Sequence, residues 1–107
     1  MNFQTLSKDI GLDEEECREL LTLFVETSLH EIHAVETALG AADPSKAAEI
    51  AHSLKGAAVN LGLEECLDLA VEMEATARSN RLSETALLTA EFKKALETLA
   101  ILARVDI

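Results

Sequence analysis

Apolar residues recur every three or four positions along most of this chain, the spacing of helices that bury one face. Residues 2–10 place Phe3, Leu6 and Ile10 at that spacing and predict a short leading helix. A long second segment follows Gly11. Asp13 is placed to cap it, and Glu14, Glu15 and Glu16 suit the positive end of a helix dipole. Cys17, Leu21, Phe24, Ser28, Ile32, Val35 and Leu39 form its stripe, Leu20 and Val25 widen it, and Gly40 is placed to stop it. Asp43-Pro44 opens the third segment, Asp as N-cap and Pro at the first helical position. Its apolar face is Ala47, Ile50, Ala51, Leu54, Ala57, Ala58 and Leu61. The fourth runs from about 63 to 77, with Leu63, Cys66, Leu67, Ala70, Met73 and Ala77 inward. Ser83 is the expected cap of the fifth, whose stripe is Leu88, Phe92, Ala95, Leu99 and Leu102. Four long amphipathic helices with short connections predict an all-α fold. We expect an antiparallel four-helix bundle with a short additional N-terminal helix, one domain over residues 1–107.

Composition agrees. With 3% aromatic residues, four glycines and one proline, the chain lacks the turn chemistry that a sandwich or barrel needs. The net charge of −11 argues against nucleic acid and anionic membranes, whose binding needs a basic face. No apolar run approaches the roughly 18 residues of a membrane span. The acidic residues Asp9, Asp13, Glu14, Glu15 and Glu16 argue against a signal peptide. Cys17 and Cys66 form no CxxC pair and read as small core hydrophobes in a reducing, cytoplasmic setting.

The third segment carries chemistry on its other face. His52 lies two residues before Leu54, about 160° round the helix from the apolar stripe, and so faces solvent. Gly56 is one turn further on the same outer face, and Lys55 flanks it. A mid-helix glycine costs about 0.5–1 kcal/mol relative to alanine. On an exposed face close helix packing does not explain it, which leaves clearance beside His52. Imidazole titrates near about pH 6.5, so a neutral, nucleophilic ring is available at neutral pH. Lys55 is a mobile cation able to steady a phosphoryl group.

The run His52-Ser53-Leu54-Lys55-Gly56-Ala57-Ala58-Val59-Asn60-Leu61-Gly62 resembles the signature of histidine-containing phosphotransfer (HPt) domains. The resemblance is strong over 44–78 and weaker elsewhere. It implies that His52 is phosphorylated, that Lys55 assists electrostatically and that Gly56 keeps the ring accessible. Gly62 then marks the end of the motif helix or its turn, and Met73-Glu74 fills the hydrophobic-Glu pair of the following helix. Ala57 and Ala58 stand where the family often has Ser or Thr. A phosphorelay follows: a phosphoryl group taken from one response-regulator receiver Asp and passed to another. The chain has no Gly-rich phosphate loop or kinase signature, so we expect a transfer intermediate with no ATP site and no cofactor of its own. Mg²⁺ is expected on the receiver, and a hybrid histidine kinase is a further candidate partner. Ala48, Glu49 and Val59 are the candidate docking residues, and a monomer is expected.

Rival readings remain open. The bundle can be an interaction module in which His52 never carries phosphate, or the phosphoacceptor domain of a larger histidine kinase. Glu26, His30 and His33 share one helix face but lack the paired Glu-x-x-His pattern of bundle metal sites, so no metal is expected. The acidic cluster Glu64, Glu65, Asp68, Glu72 and Glu74 lacks the spacing of a calcium loop and reads as a solvated face.

Overall fold

The computed structural model describes residues 13–103. Helices α1 (Glu14–Gly40), α2 (Pro44–Leu61), α3 (Glu64–Arg78) and α4 (Leu82–Ala103) follow one another, with no strand among the described residues. The expected helix over 2–10 lies outside them. Each helix packs chiefly on two neighbours, α1 on α2 and α4, and α3 on α2 and α4. This is the antiparallel four-helix bundle. Among the described residues no helix is long and apolar enough to cross a membrane.

The predicted caps at Asp13 and Asp43 form. Asp13 Oδ1 accepts the Glu16 N–H at 2.8 Å, and Asp43 Oδ1 accepts the Lys46 N–H at 3.1 Å. Ser83 does not cap α4. The Thr85 N–H already bonds the Arg81 carbonyl at 3.1 Å, so the helix begins before Ser83, which lies inside its first turn.

The three loops, residues 41–43, 62–63 and 79–81, close by one geometry. In each, a residue in the left-handed region bonds the carbonyl three back, and its successor bonds the carbonyl five back. Those residues are Ala42 (φ 52°), Gly62 (φ 66°) and Asn80 (φ 57°). The longer bonds are Asp43 to Ala38 at 2.8 Å, Leu63 to Ala58 at 3.0 Å and Arg81 to Thr76 at 2.8 Å. This is the Schellman closure. α1 ends at Gly40, as expected, although the left-handed residue that closes it is Ala42, two residues later.

The core follows the predicted stripes in the main, with Ala38, Ala48 and Thr76 buried beyond them and stripe residues such as Leu39, Ile50 and Leu61 only half-buried. Leu20 is 37% exposed, since it is turned about 100° from Leu21 to the edge of α1. In α4 the buried face also takes in Thr85, Thr89, Leu96, Ala100 and Ala103. The threonines tolerate burial because their hydroxyls are bonded. Thr85 donates to the Arg81 carbonyl at 3.1 Å, Thr89 to the Thr85 carbonyl at 2.7 Å, and the Thr76 and Thr85 hydroxyls meet at 2.7 Å across α3 and α4.

The shared loop geometry predicts opposite outcomes for two swaps. Ala42→Gly relieves a left-handed alanine and raises stability by about 0.5–1 kcal/mol, whereas Gly62→Ala lowers it by a similar amount. Urea unfolding of both variants measures this.

Candidate functional site

The α2–α3 pair is packed through small residues. Ala47, Ala48, Ala51, Leu54 and Ala58 of α2 are all fully buried, as are Ala70, Met73 and Ala77 of α3. Small side chains let helix backbones approach closely. The two-residue turn at Gly62 and Leu63 sets the register, so residues equally far from Leu63 face each other. His52 and Glu74, 22 residues apart, are such a pair.

Glu74 is the centre of the site. Its side chain is only 13% exposed, while that of His52 is 64% exposed. His52 Nδ1 lies 3.2 Å from Glu74 Oε2 and 3.3 Å from Oε1. Lys55 Nζ donates to Oε1 at 3.0 Å. Arg78 donates to Oε2 through Nη2 at 2.7 Å and Nε at 3.1 Å. The Arg78 and Lys55 hydrogen bonds hold the Glu74 carboxyl down to about 2 from an ordinary 4.5; the His52 contact adds to this and partial burial opposes it. At neutral pH Glu74 is therefore an ionised, acceptor-only group. In the neutral imidazole the facing His52 Nδ1 is then the donor, which leaves the lone pair on Nε2. Among the described residues Nε2 has no hydrogen-bond partner.

Gly56 is exposed, and a Cβ added there would meet nothing within 4 Å. Neither packing nor backbone strain within the chain requires glycine. Glu49 is exposed and Val59 is 56% exposed, so both are available to a partner. Ala48 is not. It is fully buried, which rules it out as a docking residue. Its position between the apolar stripe and the outer face reads as exposed only until the neighbouring helices pack. Ser53 Oγ donates to Glu31 Oε1 of α1 at 3.2 Å, so the residue after His52 is tied to the other neighbouring helix. Gly62 ends the motif helix as expected.

Sequence reasoning placed Glu74 in a solvated acidic face, and that is corrected here: three side chains from two helices cover it. The Met73-Glu74 pair pointed to the position but not to its contacts. Arg78 was missed altogether. Hairpin register about Leu63, with an arginine four residues after Glu74, is the signal that finds both.

The remaining constellations lie apart. His30, His33 and Glu26 line a groove between α1 and α4, on the opposite side of the bundle, with Lys93 and Glu97. Among the described residues no group of three or more His, Cys, Asp or Glu is arranged to hold a metal ion. Cys17 and Cys66 are buried and unpaired, and burial pushes the Cys66 thiol up to about 12. Cys66 is inert as a nucleophile on that account.

The family model of the Hpt domain matches residues 19–101 of the chain. No curated protein and no solved structure gives a match.

The lowered Glu74 carboxyl fixes a pH dependence. The folded chain releases that proton more readily than the unfolded one, so Glu74 stabilises the fold above about 4.5 and the contribution is lost as pH falls towards about 2. The stability gap between wild type and Glu74→Gln should be full at neutral pH and close over that interval. Urea unfolding of the two proteins across the acid range checks it.

Proposed function

The chain belongs to the Hpt domain family, and from that premise we propose that His52 relays a phosphoryl group between receiver domains. Hpt domains serve histidine phosphotransfer in phosphorelays, and their partners are the receiver domains of two-component systems. The observation that carries the reading for this chain is the engagement of Nδ1 by Glu74, which directs the free lone pair of Nε2 outward.

The transfer balances simply. The Nε2 lone pair attacks the phosphorus of a receiver aspartyl phosphate. An N–P bond forms, the P–O bond to the Asp breaks, and the carboxylate leaves as an anion. The Nδ1–H stays on the ring and continues to donate to Glu74. The second step runs this in reverse onto another receiver Asp. Lys55, at the edge of the site and 32% exposed, turns from Glu74 to the incoming phosphoryl oxygens. Such chemistry depends mainly on positioning and charge neutralisation, so a small open site suffices.

The receiver supplies the Asp and the Mg²⁺ that neutralises charge on the moving group. A hybrid histidine kinase is the proposed upstream source. On this reading the chain is an intermediate rather than an independent enzyme, and it works as a monomer in the cytoplasm. Glu49, Val59 and the open surface over Gly56 form the proposed docking face.

A panel of phosphorylated receiver domains with Mg²⁺ tests the reading. Wild type should acquire acid-labile, base-stable label, and His52→Gln should acquire none. Gly56→Ala should be more stable than wild type by about 0.5–1 kcal/mol yet accept phosphate more slowly, because the added methyl intrudes only on the partner. Label that persists in His52→Gln would move the site to His30 or His33. An unlabelled wild type across a complete panel would favour an interaction module.

A further inference from the structure

One charged group beside His52 has no task in the transfer just described. Arg78 gives both Nη2 and Nε to a single oxygen, Glu74 Oε2, at 2.7 and 3.1 Å. Lys55 takes the other oxygen, Oε1, at 3.0 Å. The carboxylate is thus fixed by two cations, one from α2 and one from its own helix.

An exposed ion pair four residues apart on a helix ordinarily contributes little to stability. This pair differs in its acceptor. Glu74 is largely covered, and the oxygen that takes both Arg78 N–H groups is also the nearer one to His52 Nδ1, at 3.2 Å. The position of that oxygen decides which ring nitrogen carries the proton. Lys55 cannot hold it alone through the reaction, because the phosphoryl group competes for the ammonium. Arg78 reaches Glu74 along α3 and stands outside that competition.

We infer that Arg78 is a positioning residue: it holds Glu74 against His52 Nδ1, keeping the proton on Nδ1 and the lone pair on Nε2, also when Lys55 leaves Glu74. The second half of this statement rests on the proposed phosphotransfer; the first concerns the resting chain alone.

Ring-nitrogen NMR of His52 in the full chain, above the pH at which imidazole is protonated, tests it. Wild type should show the Nδ1–H tautomer. Arg78→Ala should shift the population towards Nε2–H, the form that a free histidine side chain prefers in water. Arg78→Lys should recover part of the wild-type population, since an ammonium can still donate one N–H to Oε2. Circular dichroism confirms that each variant is folded. With a cognate phosphorylated receiver, Arg78→Ala should accept phosphate about tenfold more slowly at saturation with receiver affinity unchanged. An unaltered tautomer in Arg78→Ala would overturn the inference and leave the role of His52 untouched. A shifted tautomer in a chain that no receiver labels would support the role of Arg78 and count against the relay instead.

Discussion

Close approach of α2 and α3 is the constraint on which the rest of the structure depends. Ala47, Ala48, Ala51 and Ala58 of α2 and Ala70 and Ala77 of α3 are all buried, and these two helices pack more extensively on each other than any other pair. Over that seam a histidine and a glutamate from different helices come within 3.2 Å. Larger side chains there would push the helices apart, and overpacking a well-filled core costs about 1–3 kcal/mol before any effect on the site. The turn at Gly62 supplies the other half of the constraint. Its left-handed closure makes the connection two residues long and fixes which residues face each other.

Within that frame the electrostatics are local and opposite to those of the whole chain. The protein carries a net charge of −11, yet His52 stands beside Lys55 and Arg78 with one carboxylate between them. Glu74 stays ionised, so it accepts from the imidazole and both cations. The proposed transfer would draw on this local arrangement, in which two cations share one carboxylate beside His52.

The bundle was legible in the sequence because four apolar stripes with caps at Asp13 and Asp43 leave few alternatives. The site was half legible. His52, Lys55 and Gly56 share one helix, so periodicity alone places them on one outer face. Glu74 and Arg78 belong to another helix, and their meeting with His52 depends on the register across Gly62, which no single-helix pattern contains. Ala48 was misplaced for the same reason, being exposed on α2 alone and buried once the bundle packs. The buried threonines of α4 hid behind their polarity, since their hydroxyls are satisfied by the turn below them. α1 ends at Gly40 as expected, but the left-handed closing position falls on Ala42, because closure depends on loop length as well as on residue type.

The central claim is that His52 reacts through Nε2 because Glu74 occupies Nδ1. Phosphorus–nitrogen correlated NMR tests it most directly, on ring-labelled protein phosphorylated by a small donor such as phosphoramidate, with no receiver present. A phosphorus coupled to Nε2 of His52, with Nδ1 still protonated, is the expected result. Phosphorus on Nδ1 of His52, or on His30 or His33, would contradict the account.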